Sequence, residues 1–251
     1  MSDQLSGTND QFNCDGVTKT RQDCQDNLDI IEFFDCCLKS SQSRLNDLIK
    51  RKTLVDLING RDRNGRSLLH YCAECTGILC AQILIQSRPH SIINQDNDGY
   101  TILHLAVING NTSMVTYLTS SIKSLISSDQ LFIQFLNAGD TEGHTAFHWA
   151  TVCNELSCLD ILYSSGASAS LPDIYGAHPV HYAAQMTAPS NSINRDVRIG
   201  LKVLRKILSY QRVDPNCQDK DGRTPLLWAA SSGNDYNDRF IYLINFEFQD
   251  N

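Results

Sequence analysis

"DTEGHTAFHWATVCNELSCLDILYSSGASAS", residues 140–170, holds two histidines, a tryptophan and two cysteines in 31 positions. Such a stretch is either a chemical site or a repeated piece of architecture. The answer begins 33 residues after Asp140, where "DIYGAHPVHYAAQ" starts at Asp173 with the same offsets. Five tetrapeptides ending in glycine recur along the chain: "DRNG" at 62, "DNDG" at 96, "DTEG" at 140, "DIYG" at 173 and "DKDG" at 219. Their glycines, Gly65, Gly99, Gly143, Gly176 and Gly222, are separated by 34, 44, 33 and 46 residues. Two gaps equal one unit; the other two carry about a dozen extra residues, the mark of a repeat with insertions.

Each glycine leads into a similar segment, "RSLLHYCAE", "YTILHLAVI", "HTAFHWATV", "AHPVHYAAQ" or "RTPLLWAAS", and an apolar segment such as "SCLDILY" follows. Asp or Asn before glycine marks a tight turn, because glycine enters positive φ without a Cβ clash. The Ser or Thr two residues after the glycine can cap a helix, and Pro179 and Pro225 stand where a first helical position tolerates proline. Ala106, Ala150, Ala183, Ala229 and Cys72 keep that helix thin enough for a second to approach. One such hairpin cannot bury its apolar face alone, whereas stacked neighbours can.

This pattern resembles the ankyrin repeat, and "SSGASAS" at 164–170 matches the glycine-alanine ending of that motif. The resemblance covers residues 60–245 and implies an all-α solenoid of stacked helix-turn-helix units with β-turn fingers. The expected organisation is a disordered polar tail over 1–27, an N-terminal helical capping unit over 28–60, and five repeats over 61–251. Their spans are 62–95, 96–139 with an insert, 140–172, 173–218 with an insert, and 219–251. The inserts are placed at 120–136 and 187–200. The last segment, "DRFIYLINFEFQDN", is too apolar for an outer helix, so the reading expects truncation there or a cover. A narrower resemblance, to the ankyrin arrays of inversin-type (nephrocystin-like) proteins, rests on "NGRSLLHYC", "TILHLAVINGN", "TAFHWA" and "QDKDGRTPLLWA" in that order. It implies a scaffold of cilium and cytoskeleton acting in Wnt signalling.

His70, His104, His148 and His181 share one slot, to which the resemblance assigns a structural hydrogen bond between adjacent units. Leu227 departs from it in the last unit, and His178 replaces the threonine of the fourth. The cluster His70, Cys72, Cys75 and Cys80 offers zinc-type ligands, but no second half-site follows at suitable spacing. It defines the alternative reading, a metal- or thiol-dependent sensor. No phosphate loop, dinucleotide fingerprint or kinase signature is present, so the expectation is no enzyme, no cofactor and no catalytic residue.

What remains is a surface. The ankyrin resemblance places the variable positions in the turn, after the glycine, and on the exposed side of the first helix. In the central units these include Tyr100, Ile108, Glu142, His144, Val152, Ile174, Tyr175 and Met186, where aromatic and methionine anchors suit a protein partner. Two readings stay open: the inserts fold over these side chains, or a partner does. A net charge of −7 and a pI near 5.4 speak against nucleic acid. No apolar run approaches the roughly 20 residues of a membrane span. Ten cysteines without a secretory leader read as buried thiols of a cytoplasmic, monomeric protein.

Overall fold

The computed structural model describes residues 12–14, 17–19, 60–74, 78–120, 122–125, 128–186 and 196–231. The chain divides into two compact units, Met1–Gly60 and Arg61–Asn251. In the first, β1 (Phe12–Cys14) and β2 (Val17–Lys19) pair antiparallel, with Phe12 opposite Lys19 and Cys14 opposite Val17. This hairpin lies inside the segment expected to lack regular structure. The intervening sequence, Asp15-Gly16, is a dipeptide that two-residue hairpins favour, and it went unread within a polar composition. The expected capping unit, 28–60, falls outside the described residues apart from Gly60.

The second unit is helical. Its first helices are α1 (Leu68–Cys72), α3 (Ile102–Ile108), α7 (Ala146–Val152), α9 (Pro179–Gln185) and α11 (Pro225–Ser231). Its second helices are α2 (Leu79–Ser87), α4 (Thr112–Ser120), α8 (Leu156–Ser164) and α10 (Asp196–Leu208). Helices of seven residues are far too short to hold themselves in water. They persist because the first four of them each pack on their own second helix, and successive first helices pack on one another. The small residues make this possible: Cys72, Ala106, Ala150, Ala183 and Ala229 are all buried. Cys80, Met114 and Cys158 occupy one core slot of successive second helices and are buried as well.

Both inserts differ from simple loops. Within 120–136, α5 (Ile122–Leu125) and α6 (Asp129–Leu136) form, and Phe132, Phe135 and Leu136 are buried. The main contacts of α6 are to α5 and to the 3-10 helix Pro89–Ile93. Of the second insert, residues 196–200 already belong to α10, which buries Val203, Leu204, Ile207 and Leu208 and exposes Lys202 and Arg205. The extra residues there reduce to 187–195, outside the described residues. So does 232–251, where the apolar last helix was expected.

Candidate functional site

Every turn between units is built alike. The aspartate opening it, Asp62, Asp96, Asp140, Asp173 or Asp219, turns Oδ1 back onto two backbone N–H groups, two and four residues ahead. In the third unit these are Glu142 N at 3.0 Å and His144 N at 2.8 Å. The same pair recurs in the other four. The glycine then turns at positive φ, +84° in Gly99, and the finger stacks on the next. Backbone bonds link Asn97 N to Asn64 O, Thr141 N to Asp98 O, Ile174 N to Glu142 O and Lys220 N to Tyr175 O.

The four repeated histidines tie the fingers to the helices. In each, Nδ1 accepts the backbone N–H of the helix-capping residue: Ser67, Thr101, Thr145 or His178, at 3.0–3.1 Å. A peptide N–H only donates, so the proton sits on Nε2. Nε2–H donates forward to a carbonyl of the next finger: Tyr100 O, His144 O and Arg223 O at 3.0 Å, Ala177 O at 3.3 Å. Burial holds all four below the ordinary histidine range, His104 and His148 at about 4. They are neutral, directional struts. In the fourth unit, where His178 removes the capping hydroxyl, Cys217 Sγ lies 3.8 Å from His181 Nδ1.

The residue after the histidine slot forms a floor between finger and helix. Tyr71, Trp149, Tyr182 and Trp228 each donate to Oδ2 of their own turn aspartate. Beyond packing, the indole N–H groups of Trp149 and Trp228 complete the turn. Leu105 cannot donate, and there Arg66 Nε from the preceding unit reaches Asp96 Oδ2 at 3.2 Å. The rings meet edge-on in a continuous row, Tyr100–Trp149–His144–Tyr182–Trp228, with centroids 5.3–6.0 Å apart.

His144 sits in that row between two units. Nδ1 is 3.4 Å from Asp140 Oδ1, and Nε2 is 2.8 Å from the hydroxyl of Tyr182, which donates to Asp173 Oδ2 at 2.6 Å. Its contact with Asp140 raises the His144 pKa, against the effect of burial. Burial works against the Asp140 charge, but the bonds from His144, Trp149 and the backbone outweigh it and hold the carboxyl at about 2. Burial and the Asp173 bond push the Tyr182 phenol well above its usual range. A phenol held so firmly protonated is no nucleophile. The network fastens finger to finger.

The expected surface positions divide in two. Val152, Ile174 and Tyr175 are exposed, by 43, 47 and 55%. Glu142 is exposed too, while Tyr100, Ile108, His144 and Met186 are half-buried. Tyr100 edge-packs on Trp149, so its removal would disturb the floor, contrary to a reading of it as a free anchor.

Two comparisons follow from this register. The family described as "Ankyrin repeats (3 copies)" matches residues 36–129, and "Ankyrin repeats (many copies)" matches 200–244, together more than half of the chain. The chain belongs to the ankyrin-repeat family. Inversin of Homo sapiens is 31% identical over 69% of this chain, which spans 18% of the inversin sequence. The probable 26S proteasome regulatory subunit p28 of Saccharomyces cerevisiae is 24% identical, over 83% of this chain and 81% of its own. A palmitoyltransferase of Lachancea kluyveri is 33% identical over 52% of this chain and 15% of its own.

Ankyrin architecture also absorbs most of the zinc-like cluster. Both nitrogens of His70 are engaged in the strut, Cys72 is buried, and Cys80 is disulfide-bonded, contrary to the expectation of reduced thiols. Cys75 lies outside the described residues. Among the described residues no group of three or more His, Cys, Asp or Glu could hold a metal ion, and no helix is long and apolar enough to cross a membrane.

Proposed function

We propose that this chain is a non-enzymatic interaction scaffold, monomeric and cytoplasmic, that binds a protein partner on the concave face of its central ankyrin units. One contrast carries the reading. The side chains of the repeated frame are engaged within the stack, Leu227 of the last unit excepted, whereas Val152, Ile174 and Tyr175 stand in solvent on the third and fourth units. Apolar side chains clustered in water on an otherwise well-packed solenoid mark a contact surface. The likeness to inversin supports a finer reading, a scaffold of cilium and cytoskeleton in Wnt signalling. Inversin is much the longer protein, so that role is carried here by resemblance alone.

The test is a variant carrying Val152→Ser, Ile174→Ser and Tyr175→Ser. Its far-ultraviolet circular dichroism and melting temperature should stay near those of the parent, since exposed positions cost little. Partners captured by the parent from cell extract should be lost, because truncating a true anchor costs about 2 kcal/mol or more. A folded variant that captures the same partners removes the concave face from consideration.

A further inference from the structure

From the second finger to the first helix of the fourth unit the chain is almost without cations, whereas the fourth unit carries six from Arg195 onward, on or around α10. Between residues 89 and 194 the sequence holds one basic residue, Lys123, against eight carboxylates: Asp96, Asp98, Asp129, Asp140, Glu142, Glu155, Asp160 and Asp173. Lys123 lies on α5 of the insert, where its ammonium stands 5.9 Å from the ring centroid of Phe132 of the same insert. Fingers two to four therefore present Asp96, Asp98, Asp140, Glu142 and Asp173 with no lysine or arginine of their own. Arg66 answers Asp96, and an imidazole, His144, is the basic group beside Asp140, Glu142 and Asp173. The first finger differs, with Arg63 and Arg66 against Asp62; in the fifth, Lys220 and Arg223 are balanced by Asp219 and Asp221, both of which pair with Arg223.

Charge and apolar exposure coincide. Asp98 and Glu142 are exposed on fingers two and three, and Ile174 and Tyr175 are exposed on the adjoining fourth. Between them lies the half-buried floor of Tyr100, Trp149 and Tyr182. An aromatic ring presents its negative face to a cation, and desolvation strengthens that contact. A partner side chain entering here meets carboxylates and ring faces, then apolar surface one finger further on.

We propose that the central concave face binds a protein segment that is basic and apolar together. Lysine or arginine is seated against Asp98 and Glu142 over the aromatic floor, and an adjacent apolar residue lies on Ile174 and Tyr175. This rests on the concave-face reading and adds the chemistry of the partner. The arginines of the first finger mark one limit of the site, since a cationic segment suits the central fingers and is repelled there.

The test uses random 15-residue peptides displayed on phage and selected on the full chain. Two variants then sort the outcome: Asp98→Asn with Glu142→Gln, and Ile174→Ser with Tyr175→Ser, both conservative for the turns. Retained peptides should be enriched at least threefold in Lys and Arg over Asp and Glu, with apolar residues alongside. The charge variant should weaken the best synthetic peptide about tenfold and flatten its salt dependence; the apolar variant should weaken it at least as much. Acidic or neutral binders, no binders, or a charge variant that binds as well as the parent overturn the inference. If the apolar variant alone loses binding, the concave face stands and its basic partner does not. If neither variant matters, both fall.

Discussion

Gly99 and Gly222 have the same conformation and different neighbours, which makes them a controlled pair. Their φ values are +84° and +74°. An alanine at either position pays the left-handed penalty, about 1–2 kcal/mol for an L-residue. At Gly222 no described residue lies within 4 Å of the added Cβ, so the penalty should end there. At Gly99 the Cβ would stand 2.5 Å from Thr141 N, 2.7 Å from Asp140 C and 2.8 Å from Asp140 Cα. All three atoms are backbone of the next finger and cannot swing aside. Relief requires the fingers to part by roughly 1 Å, enough to forfeit much of their van der Waals contact. It also breaks the 3.0 Å bond from Thr141 N to Asp98 O. That adds about 1–3 kcal/mol. Gly222→Ala should therefore lower Tm by about 2–8 °C, and Gly99→Ala by roughly twice as much. Urea denaturation followed by circular dichroism measures both, and the slope checks that the same structure unfolds. Equal midpoints for the two variants would refute the stacking of finger two on finger three.

Two further outcomes follow from the buried groups. His70, His104, His148 and His181 have folded pKa values below the unfolded 6.5, two of them at about 4. The unfolded chain therefore binds more protons below pH 6.5. Stability should be full above that and fall toward pH 4, by about 1.4 kcal/mol per pH unit for each histidine within its window. His144, whose pKa is raised, favours the fold at low pH and loses that contribution as pH rises, so it opposes the trend without cancelling four struts. Urea midpoints from pH 7.5 to 4.5 that stay level would contradict the strut assignment. Trp149→Phe keeps the ring and removes the 3.0 Å donor to Asp140 Oδ2, and should cost about 1–3 kcal/mol at pH 7. A thermal shift near zero would show that the indole N–H contributes only packing.

Much of this was legible because a solenoid repeats its chemistry at fixed offsets. Asp, Gly, Thr and His at constant spacing are a sentence written five times, so single departures stand out. What stayed hidden is what depends on partners in the next unit. Nothing within "HYC" or "HWA" says that the residue after histidine reaches back to the turn aspartate. Leu105 is a legible hint, since its failure to donate is matched by Arg66 one unit earlier. The exposure of Tyr100 was misjudged for the same reason. Its turn position is variable in the pattern, yet Trp149 of the next unit covers it. Charge was visible all along: the near-absence of lysine and arginine across 89–194 disappears in a whole-chain net charge of −7.

The separation of frame from surface has a physical cause. A turn aspartate whose Oδ1 takes two amides and whose Oδ2 takes a side chain has little accepting capacity left for a partner. A histidine with both nitrogens committed is equally closed. The frame can therefore recur unchanged in every unit without making the units bind alike. Freedom remains at the first two finger positions after the aspartate and at the far end of the first helix, where side chains leave the stack. In this chain those places read Asn97-Asp98, Thr141-Glu142 and Ile174-Tyr175 along successive fingers, two polar-acidic fingers followed by an apolar one. A partner that matches it must lie along the fingers in one direction. Reversing a bound peptide's sequence should abolish its binding, although composition and charge are unchanged.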